Sequence, residues 1–346
     1  MYNKLSDGLE GVGLVAIGRN EGERFRECLR SMPRGLPAVY VDSGSTDESV
    51  MHAETAGVQV VELCGTTKFS AARARNLGWR ALLSRDPQLR YVQFLDGDCA
   101  LDPGWLKDAL AAIDMEDRTA VVFGQLKERY PERSLYNAMC DREWDVPVGE
   151  VRACGGNALV RTEALIQVGG YNELLIAGEE PDMCLRMKAK GWSIFRIPPK
   201  MATHDADILD FGSWWKRSKR SGHAYTEHVA IHKGCSNPDW VRAVGSMVVW
   251  ALLIPGLLIA GVILSLIFNI FWLLLPIVAV LAVIIQYYRI KRRCLADGVI
   301  RPTAHGEAIL SLVAKFAQFS GALTFGANLF LGRRAPIIEY KKPRLH

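Results

Sequence analysis

A chain of 346 residues exceeds one domain of ordinary size, and its 49% hydrophobic content is concentrated rather than spread. The formal net charge of +5 is small, and its basic residues gather after position 215 and near the C-terminus with no nucleic-acid-reading motif beside them. This pattern suits anionic headgroups or phosphates, and no nucleic-acid partner is expected. The eight cysteines (Cys28, Cys64, Cys99, Cys140, Cys154, Cys184, Cys235 and Cys294) are scattered with no CxxC or zinc spacing, which fits reduced thiols in a cytosolic compartment.

The opening MYNKLSDGLEGVG has no apolar core region and no cleavage site, so export is not expected. VGLVAIG (12–18) reads as a strand, leading through Asn20 and Glu21 into a helix that carries Phe25, Cys28 and Leu29. LPAVYVDSGSTDES (36–49) reads as a second strand ending at Asp42, then a small-residue polar loop in which Asp47 can cap the next helix. VQVVELC (58–64) gives a third strand, FSAARARNLGWRALLS (69–84) a helix, and YVQFLDGD (91–98) a fourth strand. Strand and helix in alternation predict an α/β domain with a mainly parallel sheet that binds ligands at the carboxyl ends of its strands. Asp42, Asp96 and Asp98 all fall at such ends.

Asp96 and Asp98 are separated only by Gly97. Two carboxylates ending a buried strand are costly unless a cation joins them. Mn2+ or Mg2+ carrying a diphosphate is the natural partner, and Gly97 lets the backbone come close. An ordinary Asp-Gly surface turn is the competing reading.

Residues 243–288 are almost uninterrupted hydrophobic sequence, broken near the middle by Asn269. A bilayer core takes about 20 helical residues, so two crossings with a tight turn are expected, Pro255 and Pro276 being tolerable within them. Arg217, Lys219, Arg220, Lys233 and Arg242 precede the first span, and Arg289, Lys291, Arg292 and Arg293 follow the second. Both flanks are therefore expected in the cytoplasm. Residues 306–332 are long enough to span, yet hold Lys315 and Gln318 in mid-segment. Ile309, Leu312, Phe316, Phe319 and Leu323 recur at helical spacing there, which predicts a helix lying at the cytoplasmic interface before a basic tail. The expected layout is a catalytic domain over 1–235, a transmembrane hairpin over 243–288, and a cytoplasmic loop, interfacial helix and tail over 289–346.

VDSGSTD (41–47), SAARARNLG (70–78), FLDGD (94–98), GGNALVRTEAL (155–165) and GEEPDMCLRMKAKGW (178–192) occur in the order seen in family 2 glycosyltransferases of GT-A fold. Residues 12–230 resemble that family. The resemblance implies that Asp42 holds the donor nucleoside, with Asn20, Glu21, Asp47 and Arg75 helping at the base. It implies that Asp96 faces the ribose or the metal, that Asp98 ligates the metal, and that Gly156 and Asn157 line the substrate site. The GEEPD stretch matches the family's G-E-D motif with Glu180 in place of the catalytic aspartate. Glu180 is the expected base, with Glu179 and Asp182 as alternatives; Asp182 can instead cap a helix over 183–190. His204 is a candidate third metal contact. FGSWWKRSKRSGHAY (211–225) stands where processive relatives carry Q-x-x-R-W; that motif is absent, but Trp214, Trp215, Arg217 and Arg220 supply the same side-chain types.

The expected function is inverting transfer of a sugar from a nucleotide-diphosphate sugar, a UDP-sugar first among them, to a lipid-linked acceptor, polyprenyl-linked by preference, in cell-surface or exopolysaccharide synthesis. The enzyme is expected at the plasma membrane with its catalytic domain in the cytoplasm, and a homo-oligomer or a synthase complex is compatible with that placement. One alternative is a sugar-nucleotide nucleotidyltransferase, which normally shows a Gly-rich basic phosphate loop that LVAIGRNEGERF lacks. Another is a non-catalytic scaffold of a polysaccharide synthase complex, against which the carboxylates at Asp42, Asp96, Asp98 and Glu180 argue.

Overall fold

The apolar run VGLVAIG forms β1 (Val12–Gly18), buried along almost its whole length because strands lie on both of its sides. This computed structural model describes residues 8–63, 69–234 and 237–333; Cys64, Cys235 and the tail from residue 334 lie outside them. From β1 the chain runs through α1 (Glu23–Ser31), β2 (Ala38–Asp42), α2 (Ser49–Thr55), β3 (Gln59–Glu62), α3 (Ala71–Arg85) and β4 (Tyr91–Asp96). It continues through β5 (Cys99–Leu101), α4 (Trp105–Ile113), β6 (Thr119–Glu128), α5 (Leu135–Glu143), β7 (Gly149–Glu150) and β8 (Ala158–Arg161), then α6 (Thr162–Val168), α7 (Glu179–Ala189) and β9 (Ser193–His204). One compact unit ends at Ile208 and a second begins at Leu209.

The sheet order is β3-β2-β1-β4-β8-β6-β9-β5, with β7 also on β9. The mainly parallel sheet expected from the alternation holds for β3-β2-β1-β4. Beyond β4 the sheet is mixed. β8 runs antiparallel to β4 and β6, β9 is parallel to β6, and β5 and β7 are antiparallel to β9. Gln93, the polar residue inside β4, is fully buried and satisfied: its Oε1 accepts from the Trp105 indole at 2.8 Å. Helix α3 rests on β1 and β2 so closely that a methyl group on Gly78 would collide with Val15 and press on Val41. The six described cysteines are free thiols, five of them buried, as the scattered spacing suggested.

The second unit opens with α8 (Phe211–Ile231), N-capped by Asp210, which accepts from the Ser213 N–H at 3.1 Å. Then come α9 (Pro238–Val248), α10 (Ile254–Ile267), α11 (Leu274–Ala296) and α12 (Arg301–Phe330). The boundary between the compact units thus falls inside the span expected for the catalytic domain. α8 belongs with the second unit because its densest packing is along α12. α9 and α10 are continuous through one widened turn at Val249–Leu253, just before Pro255, whose ring has no N–H for a regular turn. The expected reversal falls at Asn269, whose side chain accepts from the Phe271 N–H at 3.1 Å.

Three helices, Pro238–Ile267, Ile270–Ala296 and Arg301–Phe330, are long and apolar enough to cross a membrane. α12 packs through small residues: Ala304, Ala308, Ala317 and Gly321 are buried, while Ile309, Phe316 and Leu323 are 43%, 44% and 58% exposed. At its crossing with α8, a methyl on Gly222 would strike the Gln318 carbonyl, and one on Gly321 the Lys219 carbonyl.

Gly78→Ala should destabilise the protein by about 1–3 kcal/mol, because the collision is with a β-branched side chain in a filled core. Gly326→Ala, where an added methyl meets nothing within 4 Å, should be neutral or slightly stabilising. Thermal unfolding of both variants in detergent checks the contrast.

Candidate active site

The ends of β1 and β2 carry two loops that hold each other. Asn20 takes φ 55°, a left-handed conformation that asparagine tolerates. Its N–H donates to Ser45 Oγ at 3.0 Å, and its Oδ1 accepts from the Thr46 N–H at 2.7 Å. Asp47 accepts from the N–H groups of Gly22 and Ser49, both at 3.0 Å, so it stitches the first loop to the start of α2, while the N-cap of that helix is Glu48 and not Asp47 as expected. Asp42 is 3% exposed, and its oxygens accept from the Tyr40 hydroxyl (2.9 Å), the Ser45 hydroxyl (2.5 Å) and the N–H groups of Gly44 (2.9 Å) and Ser45 (2.8 Å). Its acceptor sites are filled by its own chain. Asp42 thus shapes the loop. Glu21 is paired with Arg24 at 2.8 Å. Among the described residues, the other non-glycine positive φ is at Asp207 (50°), 4.0 Å from the same Arg24.

Arg75 is the centre of the site. Projecting from the second turn of α3 and only 3% exposed, it meets Asp96 at 2.9 Å, Glu179 at 3.0 Å and Glu180 at 2.8 Å. Gly156 lies against it: an added methyl there would run into the guanidinium and Asp96. Asn157 fixes the strand end by accepting from the Asp96 N–H at 2.9 Å. Burial pushes the Glu180 carboxyl up to about 7, with the Glu179 charge adding to the rise and Arg75 opposing it.

The three acids of the GEEPD stretch separate by environment. Helix α7 starts at Glu179, so Asp182 lies in its first turn instead of capping a helix over 183–190. Asp182 is 1% exposed and takes Arg186 through two donors, at 2.6 and 2.9 Å. Arg186 also donates to the carbonyls of Val168 (2.6 Å) and Gly170 (2.8 Å), which makes the pair an architectural clamp. Glu180, at 13% side-chain exposure against 6% for Glu179, is the most accessible of the three.

Asp98 and His204 meet across the strand end, Asp98 Oδ2 standing 3.3 Å from His204 Nε2. Asp96, two residues away, turns to Arg75 instead. Cys99 Sγ completes a group whose ligand-capable atoms lie within 4.8 Å of one another. Burial, with the Asp96 charge beside it, raises the Cys99 thiol well above its ordinary value, so it remains a thiol and suits a hard cation poorly. Asp98 and His204 fit a divalent cation. A buried carboxylate demands a positive partner, and His204 faces a second one, Glu128, whose side chain is fully buried.

Glu128 and Trp144 are functional candidates that sequence reasoning missed. Glu128 ends β6, where it is the register partner of His204 in the parallel pairing with β9. Trp144 follows α5 and sets its ring edge-on to His204, with centroids 4.6 Å apart. Neither carried a local signal. The expected Trp214, Trp215, Arg217 and Arg220 lie on α8 in the second unit. Trp214 is buried against Phe211, at 5.4 Å between centroids, and so is not an open platform.

Residues 16–169 match the Glycosyl transferase family 2 profile. The chain is 26% identical over 262 residues to the pre-mycofactocin glycosyltransferases of Mycobacterium tuberculosis strains CDC 1551 / Oshkosh and ATCC 25618 / H37Rv. That match covers 71% of this chain and 53% of the relatives, so the chain spans about half the length of the curated relatives it matches. The fold is similar to that of the mannosyltransferase PcManGT from Pyrobaculum calidifontis, solved with GDP-Man and Mn2+. The TM-score is 0.54 at 15% identity, covering 91% of this chain and 86% of that one.

Arg75→Met should leave three carboxylates without their shared cation. Removing one partner of a buried ion pair costs about 3–5 kcal/mol. The deficit should shrink as pH falls through about 7, because Glu180, already raised by burial, loses the opposing Arg75 charge and takes up its proton more readily in the folded variant. Melting temperatures of the variant and wild type on both sides of that pH check both points.

Proposed function

The chain carries a glycosyl transferase family 2 domain over residues 16–169, and from that premise we propose that it transfers a sugar from a nucleoside-diphosphate donor to an acceptor hydroxyl at a membrane, with inversion at the anomeric carbon. The observation that carries this reading is the division of labour at the end of β4. Asp96 joins the Arg75 knot that holds Glu180, while Asp98, two residues on, pairs with His204. One strand end thus reaches both the Glu180 knot, through Asp96, and the His204 ring, through Asp98.

Glu180 acts as the base. It takes the proton of the acceptor hydroxyl as that oxygen forms its bond to the anomeric carbon. The bond from that carbon to the diphosphate breaks, and its electron pair leaves with the nucleoside diphosphate. Arg75 holds Glu180 and Asp96 in register during the transfer and pairs with Glu179 beside them. Asp98 and His204 would hold Mn2+ or Mg2+, which when bound takes up charge on the departing diphosphate. The linked loops at Asn20, Asp42 and Asp47 shape the nucleoside end.

The three apolar helices support a membrane-bound acceptor. The basic flanks at 217–242 and 289–293 support a cytoplasmic active site on the plasma membrane. A polyprenyl-linked saccharide is the acceptor this arrangement serves best. The curated relatives are named for pre-mycofactocin, so that compound is the second acceptor to test.

Glu180→Gln should lower the turnover number by about 10²- to 10⁴-fold while donor affinity stays within a few-fold. Wild-type transfer should rise with pH and level off above about 7, since the base is silenced by protonation below its raised pKa. That inflection should vanish in Glu180→Gln. Product analysis with a radiolabelled UDP-sugar, Mn2+ and a lipid extract provides the check. Full activity in the variant would rule out Glu180 as base, and conversion of the UDP-sugar with added pyrophosphate into UTP and a sugar 1-phosphate would identify a nucleotidyltransferase.

A further inference from the structure

We infer that Glu128 is a positioning residue that fixes the His204 ring for metal binding, an inference that rests on the metal reading above. An imidazole that gives Nε2 to a cation keeps its proton on Nδ1, and an acceptor at Nδ1 sets both tautomer and ring orientation. His204 Nδ1 is buried without a hydrogen bond, and Glu128 Oε2 stands 3.6 Å from it. Engagement of Nε2 by a cation in place of the Asp98 contact needs only a small ring shift to close that gap.

The carboxylate is held where this role requires it. Its Oε2 also accepts from the Ala206 N–H at 3.0 Å, and its Oε1 accepts from the Tyr130 N–H at 3.2 Å and from Asn137 Nδ2 at 3.4 Å. With the side chain fully buried, Glu128 cannot swing away. Trp144 edge-on to the ring, Glu128 at Nδ1 and Asp98 at Nε2 leave His204 little freedom to turn.

A purely architectural role, tying residues 130 and 206 to the end of β6, is the competing account. Asn137 tells the two apart. Its side chain braces the same segment, accepting from the Ile208 N–H at 3.0 Å and donating to the Tyr130 carbonyl at 3.2 Å, without touching the ring.

The test uses the full chain in detergent, with free Mn2+ followed by electron paramagnetic resonance in wild type, His204→Ala, Glu128→Gln, Glu128→Asp and Asn137→Ala. Glu128→Gln should weaken Mn2+ binding by about 10- to 100-fold, the usual loss for an outer carboxylate. Glu128→Asp should fall between it and wild type, and Asn137→Ala should bind more tightly than Glu128→Gln. With Cu2+ in the site, the spin-echo modulation from the remote nitrogen of His204 should change in Glu128→Gln. Wild-type Mn2+ affinity in Glu128→Gln overturns the inference, as does an equal loss in Asn137→Ala or an unchanged remote-nitrogen signal. Wild-type affinity in His204→Ala removes the metal reading together with the inference, whereas loss in His204→Ala alone removes only the inference.

Discussion

One buried guanidinium faces three carboxylates, and the site follows from that imbalance. Burial works against the charge on Arg75, but Glu180, Asp96 and Glu179 more than offset it, so its pKa is driven well above the ordinary value. A single cation cannot neutralise three anions in a water-poor pocket. Asp96 has the Arg75 contact and about a third of its side chain in solvent, whereas Glu180 shares one guanidinium nitrogen with Glu179. Burial raises the Glu180 carboxyl, with the Glu179 charge adding to the rise and Arg75 opposing it, and a carboxyl poised near neutrality suits the proposed base. The same imbalance makes Gly156 a packing requirement, since only a residue without Cβ lets the 155–157 segment close over Arg75.

Gly97 divides the work between the two aspartates of β4. Along a regular strand, residues two apart point to the same side, and Asp96 and Asp98 would share one partner. The chain instead turns after Asp96. Gly97 passes beneath β1, where a Cβ would lie 3.1 Å from the Ile17 carbonyl and 3.3 Å from Glu21 Cγ. The turn carries Asp98 over to His204 and leaves Asp96 facing α3 and α7. A glycine between two acids is thus a device for giving them different partners, and its sequence signature is indistinguishable from an ordinary tight turn.

What the sequence made legible follows from the range of each interaction. The β1–β4 half obeys local alternation, and its four strands, the Asp42 loop and the strand-end position of Asp96 were readable from period and turn residues alone. The mixed half was not. Pairing of β6 with β9 joins residues far apart in the chain, and its register shifts near Gln125 have no mark in the local pattern. Glu128 reads as a charged strand end, and only that long-range register makes it the neighbour of His204. Asp182 fails for a related reason: an acid at a helix start suggests a cap, but α7 begins three residues earlier and Arg186 one turn on claims the carboxylate.

Periodicity in the second unit was correct about the stripe and silent about its direction. Ile309, Phe316 and Leu323 do share a face of α12, yet that face points outward while alanine and glycine meet the neighbouring helices. In water this arrangement would be inverted, because burying large apolar side chains is the main gain of helix packing. In lipid no such gain exists: the tails solvate leucine as well as a protein core does. Helices then associate through close backbone approach, which small residues permit, and Gly222 and Gly321 allow such an approach where α8 crosses α12. α8 carries the basic flank, so that crossing needs no lipid, and it is the outward stripe of α12 that suits a lipid environment.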